Sequence, residues 1–208
     1  DGFKKYNYTI DINDANYVMG YPKPVAIRTL LEEKFAVKEN IGEWVSKIHN
    51  VFLDEMINFY KTNPAVKGKK NAEETFRALH DRGIKVCLDT GFSRDITDTI
   101  INRLKWNENN MIDLSITSDE VTNGRPYPDM IFKAMKELNI LTADEVAKVG
   151  DTLSDLMEGN ATKCKDVVGI TTGAYKREAL EKEKHTHLRY DLLEIVDIVS
   201  SEQGTTTA

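Results

Sequence analysis

The sequence predicts an α/β fold: a parallel sheet covered by helices on both faces, preceded by an all-helical stretch. From residue 70 onward, short apolar runs alternate with segments of helical period, which is the pattern of βαβ units. Before residue 66 no convincing strand occurs, and apolar residues recur at helical spacing. The length of 208 residues, with 40% hydrophobic and 30% charged residues, allows one domain with an insert or two small ones. Either way there is apolar material for a real core.

In the first stretch, "NDANYVMG" (13–20) reads as a short helix ending at Gly20. "KPVAIRTLLEEKF" (23–35) places Pro24 near a helix N-terminus, where proline fits best. Its Ile27, Leu30, Leu31 and Lys34 keep helical spacing. "IGEWVSKIHNVFLDEMINFYKT" (41–62) predicts a long amphipathic helix with Val45, Ile48, Phe52, Met56 and Phe59 along one stripe. "NPAVKGKK" (63–70) breaks the pattern and reads as a linker. The expected division is therefore a helical domain over 1–66 and an α/β domain over 67–208.

In the second stretch, helices are expected at 71–82, 93–105, 128–139, 153–163, near 176–183 and at 191–202. Strands are expected at "IKVCLD" (84–89), "LSITSD" (114–119), "VAKVGD" (146–151), "DVVGIT" (166–171) and "HTHLRY" (185–190). The polar tail "QGTTTA" (203–208) is expected to be disordered.

Bulk properties exclude several classes of function. A net charge of −6 and a sequence pI near 5.3 argue against a nucleic-acid face, which needs clustered surplus Lys and Arg. No apolar run approaches a membrane span, and no signal peptide is visible. Cys87 and Cys164 lack metal-ligand spacing and read as reduced thiols, so a cytoplasmic location is expected. His49, His80, His185 and His187 are expected in surface or packing roles.

In parallel sheets, function collects beyond the C-terminal ends of the strands. "LDTGFSRD" (88–95) sets Thr90 and Gly91 at a strand-to-helix turn, where a hydroxyl and free backbone N–H groups can hold an anion. The plainer reading, favoured for this loop alone, is that Asp89, Thr90 or Ser93 caps the helix. "NGRPYPDM" (123–130) carries Arg125 before Pro126, which limits its backbone to extended conformations. Its planar fork suits phosphate, although a surface arginine in a turn fits equally. "VGDTLSDLMEGN" (149–160) sets Asp151 and Asp155 four apart. Hard oxygens at this spacing suit Mg²⁺; alternatively Thr152 or Asp151 caps a helix and Asp155 sits in its first turn. Taken together, the loops offer metal carboxylates, a hydroxyl and a fixed cation, the equipment of phosphoryl transfer.

The ordered set "KVCLDTGF…GRPYPDM…KVGDTLSDLMEG" resembles the second, third and fourth motifs of the haloacid dehalogenase superfamily, over about residues 10–200. That superfamily has a Rossmann-like core with an inserted cap. Arginine in the third motif, where lysine is usual, is similar to the phosphonoacetaldehyde hydrolase branch, as is the stretch 169–199. The resemblance implies that Thr90 and the Gly91 amide hold phosphoryl oxygens and that Arg125 neutralises them. It implies that Asp151 binds Mg²⁺ directly or through water, with Asp155 supporting that shell. Residues 1–66 would be the α-helical cap that chooses a small phosphorylated or phosphonate substrate, and a cap-mediated homodimer is suggested.

"VMGYPKPVAIR" (18–28) also resembles the cap segment whose lysine forms an imine with the substrate aldehyde, and Lys23 aligns with it. A closed, partly desolvated site lowers a lysine pKa as that chemistry needs. The simpler reading, a solvated or phosphate-steering lysine, is the one favoured by the ordinary habit of the residue. Ala26 stands where that branch has a histidine.

The first motif of the superfamily, a strand ending in an attacking aspartate, is expected before the cap, and "DGFKKYNY" does not supply it. The expectation is therefore a sheet without that central strand and a chain without aspartyl-based turnover as written. Asp89 is set aside as a substitute because the motif order would collapse. The rival readings are a phosphomutase or sugar phosphatase on the same core, and a non-catalytic phosphate-binding protein. A receiver-type signalling domain fits poorly, since it would want its acidic pair near the first strand and no helical cap.

Overall fold

The structure, a computed structural model, describes residues 2–19 and 21–200. The expected helix end at Gly20 and the expected disordered tail lie outside them. The N-terminal stretch contains α1 (Ile12–Tyr17), α2 (Lys23–Glu33) and α3 (Ile41–Thr62), with a single 3₁₀ turn at Lys4–Tyr6 before them. α1 opens on a capping box. The Asp11 side chain accepts from the Asn13 and Asp14 amides, and the Asp14 side chain accepts from the Asp11 amide. α2 follows Pro22, with Pro24 in its first turn, so Lys23 is its first helical residue. These helices share one core of Phe3, Val18, Ala26, Ile27, Leu30, Leu31, Val45 and Ile48.

The remainder alternates as expected: α4 (Ala72–His80), β1 (Cys87–Thr90), α5 (Arg94–Leu104), β2 (Leu114–Thr117) and α6 (Asp129–Leu138). After these come β3 (Ala147–Gly150), α7 (Leu153–Thr162), β4 (Asp166–Ile170), α8 (Arg177–Leu180), β5 (His187–Arg189) and α9 (Glu194–Ser200). Every ladder is parallel, with Asp89 opposite Ile116, Val149 opposite Val168 and Gly169 opposite Leu188. The strands form two hydrogen-bonded groups, β1-β2 and β3-β4-β5. A side-chain bond from Lys148 Nζ on β3 to Asp89 Oδ1 on β1, 2.5 Å, joins the two groups. Among the described residues no helix is long and apolar enough to cross a membrane.

One expectation holds for only half its length. The stripe on α3 is buried at Val45 and Ile48, while Phe59 is 45% exposed. The first half of α3 closes the helical core, whereas the second half runs beside α5.

Candidate active site

The strand ends bring Arg125, Asp155, Lys148, Asp89 and Glu158 into one buried group of charges. Arg125 and Asp155 form an ion pair in which the Arg125 side chain is 10% exposed and that of Asp155 5%. The Asp155 carboxylate divides its work between its two oxygens. Oδ2 accepts from the Thr152 amide (3.1 Å) and the Thr152 hydroxyl (2.6 Å), closing the capping box that starts α7. Oδ1 pairs with Arg125 and lies 3.3 Å from Lys148 Nζ. The helix-start reading of this aspartate is therefore met by Oδ2, while Oδ1 faces two basic side chains. Gly150 makes this possible, since a Cβ there would lie 2.2 Å from Asp155 Cγ.

Lys148 is buried among three carboxylates, with Nζ also 2.7 Å from Glu158 Oε2. The electrostatics follow from that crowding. Arg125 and Lys148 hold the Asp155 carboxyl well below the usual carboxylate range, against the burial that opposes them. Burial pushes Glu158 up to about 7, with Lys148 pulling the other way. Asp89, Asp155 and Glu158 offer oxygens within 4.8 Å of one another, and Lys148 is the cation among them.

Asp151 lies outside that group. Its Oδ2 accepts from the Ala174 amide (3.2 Å) and from Lys69 Nζ (3.3 Å), and its carbonyl accepts from the Tyr175 amide (3.1 Å). Its side chain is 37% exposed. So the two aspartates of "GDTLSD" do not share one environment. Asp155 is buried and paired; Asp151 is accessible and held only by a lysine and a loop amide.

The loop after β1 departs from the capping expectation. The Thr90 hydroxyl accepts from the Phe92 amide (3.1 Å), Asp89 turns to Lys148, and Ser93 makes no side-chain cap. The Arg94 amide is instead satisfied by Asp119, at 3.1 and 3.2 Å. Gly91 is buried beside this turn, its carbonyl accepting from Ser118.

Lys23 reaches the same region from the helical stretch. Its Nζ lies 5.5 Å from the Phe92 ring centroid. Burial, and then the Arg125 charge, lower its pKa from the ordinary lysine value. Tyr60 of α3 meets Phe92 edge-on at 6.1 Å. Burial pushes the Cys87 thiol up to about 12 and the Cys164 thiol up to about 11, so neither is a thiolate at neutral pH. His80 pairs with Asp113 at 3.0 Å, a packing role.

Sequence reasoning missed Lys148 and Glu158 and undervalued Asp89. A lysine inside the four-residue strand "AKVG" was the available signal, because a parallel strand covered by helices is normally apolar.

The sequence profile of the family described as "Haloacid dehalogenase-like hydrolase" matches residues 1–170. A phosphonoacetaldehyde hydrolase of Bacillus cereus (strain B4264) is 32% identical over 204 residues, covering 95% of this chain and 76% of that protein. Among solved structures, a phosphonoacetaldehyde hydrolase-like protein from Oleispira antarctica superposes with a TM-score of 0.83 at 19% identity. That match covers 99% of this chain and 86% of the other. A hydrolase from Pseudomonas syringae gives 0.78 at 20% identity, covering 97% and 88%.

Proposed function

From the premise that this chain belongs to the haloacid dehalogenase-like hydrolase family, we propose that it carries the phosphate- and Mg²⁺-binding side of a hydrolase for a small phosphorylated or phosphonate substrate, working through an aspartyl-phosphate intermediate. The observation that carries this reading is a buried Arg125 fixed by Asp155, with Lys23 close enough to feel its charge. A desolvated, rigidly held guanidinium is suited to a phosphoryl group, whose transfer depends on positioning and charge neutralisation.

In this reading Thr90 and the Gly91 amide hold phosphoryl oxygens and Arg125 neutralises them. Hard oxygen donors suit Mg²⁺, and the accessible Asp151 carboxylate already attracts an ammonium group. Asp151 would hold the ion, and Asp155 would support it by fixing Arg125 and the start of α7. Bound there, Mg²⁺ would supply charge neutralisation for the phosphoryl oxygens. The attacking aspartate of the first motif is not among these residues, and Asp89 is committed to Lys148. Residues 1–66 act as the cap and 67–208 as the core.

Titration with inorganic phosphate in the presence of Mg²⁺ tests the anion site. Arg125→Lys, which loses the planar fork, is expected to weaken phosphate binding about tenfold, as losing a charge-assisted hydrogen bond would. Equal affinity in the variant, with an unchanged melting temperature, would remove the reading.

A second reading is favoured by Lys23. Its lowered pKa suits an amine that adds to an aldehyde carbonyl and expels water as the imine forms. The named relatives are phosphonoacetaldehyde hydrolases, so the substrate would be a phosphonate aldehyde. Borohydride reduction in the presence of phosphonoacetaldehyde should leave a covalent adduct on Lys23. No adduct points to a plain phosphatase in which Lys23 steers phosphate.

A further inference from the structure

Residues 63–70 lie between α3 and α4, and one of them contacts the loop after β3. Gly68 lies against Trp106, where a Cβ would sit 3.1 Å from the indole. Asn71 donates to both oxygens of Asp191, at 2.9 and 2.7 Å. Between these two anchors Lys69 extends across 82 positions of sequence to Asp151, with Nζ 3.3 Å from Oδ2. The lysine side chain is 36% exposed, unlike the buried Arg125 and Lys148.

Lys69 and a divalent cation would compete for the same carboxylate. Mg²⁺ binds carboxylate oxygens at about 2.0–2.1 Å and keeps a strict octahedral shell. An ammonium about 3 Å from the same oxygen would meet that shell and the ion's double charge. Lys148 and Arg125 cannot serve as the exchanging partner, because each is buried among carboxylates that need it. Lys69 can leave into solvent without stranding a buried charge.

We infer that Lys69 is a positioning residue that occupies the Asp151 carboxylate in the absence of a divalent cation and is displaced when one binds. Cation binding thereby removes the tie between this connection and Asp151, while the anchors at Gly68 and Asn71 remain. The inference rests on the proposed reading of Asp151 as the Mg²⁺ ligand.

Calorimetric titration with Mg²⁺ alone, at low ionic strength, tests it on the wild type, Lys69→Met and Asp151→Asn. Removing an exposed pair worth at most about 1 kcal/mol should tighten Mg²⁺ binding about two- to fivefold in Lys69→Met. Hydrogen exchange of amides in 66–70 should rise on adding saturating Mg²⁺ to the wild type and be indifferent to Mg²⁺ in Lys69→Met. Equal or weaker Mg²⁺ affinity in Lys69→Met, with binding lost in Asp151→Asn, overturns the role of Lys69 and leaves the metal reading standing. Binding unchanged in Asp151→Asn, or absent in the wild type, overturns the metal reading itself and this inference with it.

Discussion

Glu158 is the residue whose environment most conflicts with its chemistry. It is fully buried, and its neighbours include Asp89 and Asp155 as well as the cation Lys148, with Arg125 farther off. Burial raises its pKa from 4.5 to about 7. A carboxyl raised in the folded state binds its proton more tightly there than in the unfolded chain. Its contribution to stability is therefore full below pH 4.5 and lost as pH rises through 7. At 1.36 kcal/mol per unit, the change across that window is about 3 kcal/mol. Glu158→Gln does not titrate, so the stability of the wild type relative to this variant should fall by about that much between pH 4.5 and pH 8. Urea denaturation in EDTA at several pH values measures the difference. A flat difference would mean that Lys148 keeps Glu158 ionised throughout.

At the scale of elements, periodicity and cap chemistry made most of the fold legible. α3 spans the expected 41–62, and α7 begins where "GDTLSD" supplies a capping box. Strand lengths were less legible. The run "IKVCLD" yields only Cys87–Thr90 as strand, because pairing with β2 begins opposite Leu114. Arg125 and Asp155 each stood out within a motif of their own, but their ion pair across 30 positions was not legible. Nor was the site legible at Lys148 and Glu158, because their meaning depends on charges brought from β1 and the loop before α6. The α3 stripe illustrates the same limit. Its spacing is uniform from Val45 to Phe59, but only tertiary contacts decide which part is covered. Ile48→Ala should therefore cost about 2–5 kcal/mol, the range for a buried large-to-small change. Phe59→Ala should stay within about 0.5 kcal/mol, as for an exposed position. Equal losses on chemical denaturation would show that the second half of α3 is covered in solution.

At the scale of the whole molecule, the question is whether the helical stretch docks on the α/β part as one body. Two contacts at different strand ends bear on it. Gly124, in the loop before Arg125, approaches Pro22 so closely that a Cβ would lie 2.5 Å from Pro22 Cγ. Tyr175, in the loop after β4, donates its hydroxyl to the Asn16 carbonyl at 2.7 Å. Pro22 immediately precedes Lys23, and the Tyr175 loop also holds Asp151, so both contacts adjoin proposed site residues. Gly124→Ala inserts a methyl group at the first contact and should cost about 1–3 kcal/mol, as overpacking does. Tyr175→Phe removes one hydrogen bond, worth about 0.5–1.5 kcal/mol. If the helices dock as a unit, loosening one contact already weakens the other, and the double variant costs less than the sum by more than about 0.5 kcal/mol. Independent contacts would add to within that margin. A double-mutant cycle by urea denaturation decides between the two. An additive result would mean that the Lys23 end and the Asp151 end of the docking surface open separately, so closure over the site could not be a single rigid motion.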